Sequence, residues 1–313
     1  MTSPTELAFV FPGQGSQAVG MGRELCEAFP ECRAVFDAAD RTLGISLSVL
    51  CFEGPEEELR RTANTQPALL AAGVAALEAV RSRGLQPAIA AGHSAGEYAA
   101  LVAGGALDFP DALRLVRKRG ELMEQAEQLG AGAMAAILGL SADQVGEVVD
   151  QARDSGIVDI ATLNGPGQTV VSGEVAAVER ACAIASERGA KRAIRLNVSG
   201  AFHSRLMADA AEVMKQEVAR CPVKDAAIPV VANATAGCVR APDEIRSALV
   251  AQITGAVRWE ESIRRIIAGG VTTFVECGAG QVLQGLIKRI DPGAVTFSVG
   301  DPQSLESLTE ALT

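Results

Sequence analysis

The pattern of apolar and polar residues along the chain predicts short strands that alternate with longer helices. Short apolar runs have the length of buried strands at residues 7–11, 87–91 and 274–277. Longer stretches, either alanine-rich or apolar along one face, predict helices at residues 66–83, 111–129 and 282–290. This alternation is typical of an α/β domain in which helices cover a parallel sheet.

The middle of the chain has a different pattern. It predicts strands at residues 133–138, 159–163, 169–172 and 192–198, and helices at residues 142–153 and 175–188. The order βαββαβ is that of a ferredoxin-like unit. We therefore expect a small α+β domain at residues 131–198. It would be inserted into a large α/β domain that comprises residues 1–130 and 199–313.

The segment Gly92-His93-Ser94-Ala95-Gly96 has the clearest chemical meaning. It lies between the predicted strand at residues 87–91 and a predicted helix at residues 97–103, which is the layout of a nucleophile elbow. Such a turn presents the serine Oγ at a helix N-terminus, where free N–H groups stabilise an oxyanion. An ordinary tight turn uses the same residue types, so the segment alone leaves the role of Ser94 open.

A catalytic serine needs a neighbouring base, which is usually histidine. The chain has two histidines. His93 adjoins Ser94 in the turn, where neighbouring side chains diverge, so His203 is the candidate base. A third group would orient its imidazole. Acidic residues between Ser94 and His203 mostly lie on predicted helix faces, and an amide or a backbone carbonyl is the alternative.

Two turns supply candidate oxyanion donors. The first is the elbow itself, through the N–H of Ala95, the residue after the nucleophile. The second is the glycine turn around Gln14, which follows the first strand and precedes a helix that we expect to run past Arg23. A third glycine turn, at residues 278–280, lacks the spacing of a dinucleotide-binding loop, and we interpret it as a packing turn.

Composition excludes several function classes. The 313-residue chain has a formal net charge of −10, which disfavours nucleic acid as its main partner. Its seven cysteines form no Cys-x-x-Cys pair and have no histidine at metal-ligand spacing. We expect free thiols in a reducing cytoplasm and no metal site. No signal peptide or membrane-spanning run is apparent, and we expect a monomer without a membrane partner.

The motifs together resemble a known family: the malonyl-CoA:acyl-carrier-protein transacylases of bacterial type II fatty acid synthesis, which are related to polyketide synthase acyltransferase domains. The resemblance rests on residues 11–17, 66–68, 92–97, 117–120, 200–204, 257–259 and 276–280. It spans nearly the whole chain. It implies a hydrolase-like large domain with a parallel sheet and a nucleophile elbow, and the inserted ferredoxin-like small domain.

The resemblance also implies catalytic roles for matched residues. Ser94 would be acylated by malonyl-CoA, and His203 would act as the base. The backbone N–H groups of Gln14 and Ala95 would form the oxyanion hole. Gln252 lies where the family has an amide or carbonyl beside the histidine in place of a triad acid.

Substrate choice is implied to depend on Arg119, which matches the family's carboxylate-binding arginine. A guanidinium grips a carboxylate with two parallel hydrogen bonds, which lysine cannot do. Its neighbours Arg114, Arg117 and Lys118 are interpreted as solvated charges on the same helix. Three further residues are expected to contact the substrate: Gln66, Asn164 and Phe202. The segment Gly200-Ala-Phe-His203 resembles the malonyl-selecting form of the family.

Ala95 departs from many relatives, which carry a larger Leu, Ile or Gln after the serine. A smaller side chain would widen the pocket and weaken the exclusion of α-branched malonyl groups.

The expected partners are malonyl-CoA and holo acyl carrier protein, with phosphopantetheine carried by the latter and no bound cofactor.

Two other functions share these features, a polyketide acyltransferase and a serine esterase. An acidic carrier protein would need a local basic patch, for which residues 191–192, 195 and 288–289 are candidates.

Overall fold

Two β-sheets organise the chain in the computed structural model, which describes residues 6–128, 132–198 and 200–312. The strands, in chain order, are β1 (Leu7–Phe11), β2 (Ile89–Gly92), β3 (Gly132–Leu138), β4 (Val158–Gly165), β5 (Gln168–Glu174), β6 (Arg192–Arg195), β7 (Val230–Val231), β8 (Cys238–Val239), β9 (Thr273–Cys277) and β10 (Val295–Val299).

The helices connect and cover these strands. In chain order they are α1 (Arg23–Ala28), α2 (Pro30–Leu43), α3 (Leu47–Glu53), α4 (Glu56–Arg60), α5 (Thr62–Ser82), α6 (Gly96–Ala103), α7 (Phe109–Gln128), α8 (Ala142–Ala152), α9 (Val175–Glu187), α10 (Ala208–Arg220), α11 (Pro242–Thr254), α12 (Trp259–Ala268), α13 (Val282–Ile290) and α14 (Pro302–Leu312). Two short 3-10 helices lie at Arg153–Ser155 and Arg205–Met207.

The larger sheet has the strand order β10-β9-β1-β2-β7-β8, and all of its pairs are parallel except β7 with β8. Its central strand β1 is buried on both faces. Phe9 and Phe11 pack into one hydrophobic cluster, whereas Ala8 and Val10 pack into another with Trp259. Burial on both faces explains the uninterrupted apolar run of β1, since parallel strands lie between two layers of helices. The predicted α/β class is confirmed.

Helix α5 begins earlier than predicted and contains Pro67. Proline lacks the N–H that would bond to the carbonyl four residues before it, which is that of Ala63. That carbonyl oxygen accepts a hydrogen bond from Arg117 Nη1 at 3.1 Å instead. Arg117 therefore supplies the donor that Pro67 cannot give to the Ala63 carbonyl. The interpretation of Arg117 as a solvated charge is wrong.

The smaller sheet has the order β4-β5-β3-β6 and is antiparallel throughout. Helices α8 and α9 pack on its β-strands through one apolar cluster, and α8 starts at a capping box formed by Ser141 and Gln144. The βαββαβ order agrees with the ferredoxin-like prediction. We propose that residues 131–198 form an inserted domain. The expected boundary at residues 130–131, and residue 199, lie outside the described residues.

Other element ends differ from the prediction by a few residues. Helix α1 starts only at Arg23, because Gly22 before it has a φ of 78°, outside the helical range. Strand β6 ends at Arg195, three residues early. The end predicted for α7, residue 129, lies outside the described residues. The predicted strands β1 and β2 pair in parallel, so the loops that follow them lie at one edge of the sheet.

Candidate active site

The turn after β2 holds Ser94 in a strained conformation. Its φ is 52°, in the left-handed region that side chains with a Cβ rarely adopt. The flanking glycines allow the chain to bend this sharply. A Cβ on Gly96 would collide with the carbonyl oxygen of Phe11, and one on Gly92 would collide with the backbone of Gly96. The strain and the close contacts together give Ser94 the geometry of a nucleophile elbow.

Ser94 Oγ lies 2.8 Å from His203 Nε2, and His203 Nδ1 lies 2.8 Å from the backbone oxygen of Gln252. A carbonyl oxygen can only accept, so Nδ1 carries the proton of the neutral ring and Nε2 accepts from the serine hydroxyl. The structure therefore brings the predicted nucleophile and base together. It also shows that the orienting group at the imidazole is a backbone carbonyl and not a carboxylate.

His203 is neutral at physiological pH. It is buried, and burial together with the positive charge of Arg119 lowers its pKa to about 3. Its backbone φ of 56° is also in the left-handed region. Two strained residues that face each other across one hydrogen bond are characteristic of a functional site. A neutral imidazole is the form that can take a proton from Ser94.

Arg119 is also buried, with 1% of its surface exposed. Nη1 donates to Gln66 Oε1 at 2.7 Å, and Nη2 donates to Ser94 Oγ and to Gln252 Oε1, each at 3.0 Å. Among the described residues, none accepts a hydrogen bond from its buried Nε. A buried donor without an acceptor costs about 1–3 kcal/mol, so this atom is suited to a ligand.

A cavity of about 200 Å³ opens over Ser94. The sequence-predicted site residues that line it are Gln14, Gln66, Ser94, Ala95, Arg119, Asn164, Phe202 and His203. Gln252 is the exception, because it lies behind Arg119 and is fully buried. The turn after β2 of the larger sheet lines the cavity through Ser94, and strands of the smaller sheet line it through Met134 of β3 and Val170 of β5. Residues far apart in the sequence thus line one cavity.

His93 does not contact the nucleophile as a base. Its Nε2 lies 2.8 Å from Asn164 Oδ1, and its ring packs against Trp259 with the centroids 5.5 Å apart. Burial lowers the pKa of His93, so the ring is neutral and donates through Nε2. As predicted, the side chains of His93 and Ser94 point in different directions, towards Asn164 and His203 respectively. His93 instead fixes the orientation of Asn164 at the cavity.

Comparison with known proteins assigns this site to a family. Residues 8–300 match the acyl transferase domain family. A malonyl CoA-acyl carrier protein transacylase of Bacillus subtilis is 50% identical over 309 residues, which cover 98% of both chains. The chain belongs to this transacylase family. It is an acyltransferase, as the sequence motifs predict.

Solved structures agree with the assignment. The malonyl CoA-acyl carrier protein transacylase of Coxiella burnetii superposes on this acyltransferase with a TM-score of 0.96 at 40% identity, covering 99% of this chain and 98% of the other. Another neighbour is a malonyl-transacylase in complex with a type II polyketide synthase acyl-carrier protein. It has a TM-score of 0.95 and 42% identity, covering 98% of this chain and 100% of that one.

Sequence reasoning missed Asn233 and Glu97, which hold the elbow of the acyltransferase from behind. Asn233 Oδ1 accepts from the Ser94 N–H at 2.7 Å, and Asn233 Nδ2 donates to Gly92 O at 2.6 Å. Glu97 accepts from the Asn233 N–H at 3.1 Å. Glu97 directly follows the elbow motif, so its position was a usable signal. Asn233 is 139 residues from Ser94 and had none.

Two further findings concern metals and membranes. No group of three or more metal-ligating side chains occurs in the part of the chain that the structure describes. Within the same ranges, no helix has both the length and the apolar character to cross a membrane.

Proposed function

We propose that the enzyme transfers a malonyl group from malonyl-CoA to the phosphopantetheine thiol of an acyl carrier protein, through an ester on Ser94. One observation carries the proposal: Arg119 Nη2 lies 3.0 Å from the Ser94 Oγ in a buried site. A guanidinium at this distance favours an acyl group that has its own carboxylate near the reacting carbonyl.

In the first half-reaction, His203 Nε2 takes the Ser94 proton as Oγ bonds to the thioester carbon. The carbon–sulfur bond then breaks, its electron pair leaves on the CoA sulfur, and that sulfur takes the proton from Nε2. In the second half-reaction, the carrier thiol gives its proton to Nε2 and its sulfur attacks the malonyl ester. Oγ leaves and regains the proton, so the enzyme returns to its initial state.

The oxyanion in both steps would be stabilised by the backbone N–H groups of Gln14 and Ala95. Both residues line the cavity at Ser94. The Ser94 N–H is already engaged by Asn233 Oδ1, so the next N–H in the turn, that of Ala95, is the first one suited to this role. Ala95 is also the N-cap of α6, where backbone N–H groups have no partner within the helix.

The malonyl carboxylate would bind along the Nε–Nη2 edge of Arg119. This edge includes the Nε that has no acceptor among the described residues and the Nη2, whose hydrogen bond to Ser94 Oγ the carboxylate would take over. Gln66 and Gln252 act through Arg119, because their Oε1 atoms hold its two terminal nitrogens. Asn164 and Phe202 would contact the rest of the substrate from the cavity wall.

The carrier protein would dock on a basic patch beside the cavity. Lys191, Arg192 and Arg289 line a surface cavity of about 430 Å³, and no acidic residue occurs among the described residues that line it. The same cavity includes Pro166 and Gly167, which follow Asn164 in the turn between β4 and β5. Asn164 of the active-site wall and Pro166 of this patch are therefore only two positions apart in the sequence. The positive charge of the patch would attract an acidic carrier protein to this side of the active site.

The other two candidates for this patch are engaged elsewhere. Arg195 pairs with Glu179 at 3.2 Å, and Lys288 Nζ donates to the carbonyl oxygen of Ala294. We expect Arg192→Ala to raise the KM for the carrier protein severalfold and to leave the KM for malonyl-CoA unchanged. Arg195→Ala is the matched control and should change neither constant. An Arg192→Ala enzyme with an unchanged carrier KM would refute this docking site.

The acceptor is proposed to be the carrier protein of fatty acid synthesis. A polyketide carrier is the second candidate, because one neighbour at 42% identity is in complex with such a protein. An esterase is disfavoured since His203 is oriented by a carbonyl and not by an acid.

Seven free thiols support a reducing cytoplasm, and a monomer remains our expectation.

Mass spectrometry of the intact protein tests the proposal. After incubation with malonyl-CoA, the wild type should gain one malonyl group, and holo carrier protein should remove it and gain the same mass. Ser94→Ala should gain no mass. A malonyl adduct on Ser94→Ala, or free malonate as the main product with carrier present, would contradict the mechanism.

A further inference from the structure

Glu97 is a buried carboxylate that the proposed reaction does not use. It lies in the first turn of α6, and 1% of its surface is exposed. Its Oε2 accepts hydrogen bonds from Gln252 Nε2 and from the Asn233 N–H. Burial raises the pKa of this carboxyl to about 7. Both of its protonation states are therefore within reach near neutral pH.

The side-chain amide of Gln252 connects Glu97 to Arg119. Its Nε2 donates to Glu97, which directs its Oε1 towards Arg119 Nη2 at 3.0 Å. Glu97 is also the carboxylate whose charge acts on Arg119. A buried cation without a counter-charge is strongly destabilising. While the site is empty, the ionised form of Glu97 supplies that counter-charge through one intervening amide.

The other titratable groups around this pair are neutral. Burial raises the pKa of Tyr98, the neighbour of Glu97 on α6, well above its usual value. Burial and the charge of Arg119 lower the pKa of His203 to about 3. A malonyl carboxylate at Arg119 would therefore add a second negative charge to a buried site that holds one positive charge.

We infer that Glu97 takes up one proton from solvent when a malonyl carboxylate binds Arg119, so that the substrate replaces Glu97 as the counter-charge. The inference rests on the proposed function, since it requires a carboxylate at Arg119. Both hydrogen bonds described for Glu97 are accepted by Oε2. A proton on Oε1 leaves them in place, so Gln252 keeps its orientation. Glu97 thus acts as a positioning residue that adjusts its charge to the substrate.

The consequence is a pH dependence on the alkaline side. Below pH 7 Glu97 already carries the proton, and malonyl binding needs none. Above pH 7 each binding event draws a proton from solvent, so kcat/KM for malonyl-CoA falls by up to about tenfold per pH unit. His203 does not titrate in this window.

The test measures the rate of Ser94 malonylation, as kcat/KM, from pH 6 to 9 in the wild type, Glu97→Gln and Glu276→Gln. Glu276 is the matched control: it is also buried, with a pKa raised by burial to about 7, but it accepts from the first turn of α13. We expect the wild type and Glu276→Gln to lose about fiftyfold between pH 7 and 9, because the protonated fraction of a group with a pKa of about 7 falls from about one half to about one hundredth. Glu97→Gln should be flat over that range, because its amide is neutral throughout.

A purely structural role for Glu97 would lower the rate of Glu97→Gln at every pH and leave the shape of its profile unchanged. That outcome overturns the inference. If the wild type forms no malonyl-serine at all, the proposed function fails instead, and mass spectrometry separates the two cases.

A second measurement does not depend on the folding of Glu97→Gln. Malonyl-CoA is titrated into Ser94→Ala at pH 8 by calorimetry in two buffers of different ionisation enthalpy. The expected result is an uptake approaching one proton per malonyl-CoA bound, and none with acetyl-CoA, which has no carboxylate for Arg119. Binding of malonyl-CoA without proton uptake overturns the inference.

Discussion

Replacement of Arg119 by alanine should remove malonyl selectivity while leaving a nucleophilic serine. The proposed Nε–Nη2 fork makes two charge-assisted hydrogen bonds to the malonyl carboxylate, and each contributes about 1.5–3 kcal/mol. Loss of both corresponds to about 3–6 kcal/mol, or roughly 10²–10⁴ in kcat/KM for malonyl-CoA. Acetyl-CoA has no carboxylate and should lose far less.

The assay is the ratio of kcat/KM for malonyl-CoA to that for acetyl-CoA, measured by transfer to holo carrier protein. Arg119→Lys keeps the positive charge but cannot make two parallel hydrogen bonds to the carboxylate. Its malonyl-to-acetyl ratio should therefore lie between those of Arg119→Ala and the wild type. Arg114→Ala is the matched control, because Arg114 lies on the same helix, is exposed and pairs with Asp111. A malonyl-to-acetyl ratio that is unchanged in Arg119→Ala would refute the assignment, whatever the absolute rates.

Three further predictions follow from the same geometry. Burial and the charge of Arg119 both lower the pKa of His203, to about 3. Arg119→Ala removes the second cause, so the acidic limb of the pH profile of kcat/KM should move to higher pH than in the wild type, and an unmoved limb would contradict this coupling. Asn233→Ala removes the side-chain partner of the Ser94 N–H and of the Gly92 carbonyl. This should lower the free energy of unfolding by about 2–6 kcal/mol, and an unchanged midpoint in urea would contradict the role of Asn233 in holding the elbow. Ala95→Leu narrows the cavity beside Ser94 and should lower the methylmalonyl-to-malonyl ratio about tenfold, as measured by competition between the two thioesters.

Local signals predicted the elements around the nucleophile because the elbow is a local structure. A strand, a turn with close-packed glycines and a helix lie within residues 89–103, and their ends are within one or two residues of the predicted ends. His203 could be predicted from elsewhere in the chain only because there are two histidines. The pairing of Ser94 with His203 followed from elimination, not from any long-range pattern.

Contacts made by backbone atoms or across long separations could not be predicted in the same way. Any residue type can orient an imidazole through its carbonyl oxygen, so the sequence could not decide whether Gln252 uses its amide or its backbone. The structure uses both: the carbonyl holds His203, and the side chain holds Arg119. Likewise, the sequence does not distinguish Arg117 from its neighbours Arg114 and Lys118, because its contact with the carbonyl of Ala63 joins residues 54 positions apart.

Arg119 links substrate choice to the strength of the base. Its charge is one of the causes that lower the pKa of His203, so in the empty site the imidazole is a weak base that draws little charge from Ser94. A malonyl carboxylate that replaces Glu97 as the counter-charge contacts Arg119 directly, whereas Glu97 acts through the amide of Gln252. The bound carboxylate therefore cancels more of that field and strengthens His203 when malonyl is in place. Acetyl and other uncharged acyl groups leave the base weak. Selection against them then acts on the rate of acylation as well as on binding, which gives one buried cation two independent contributions to specificity.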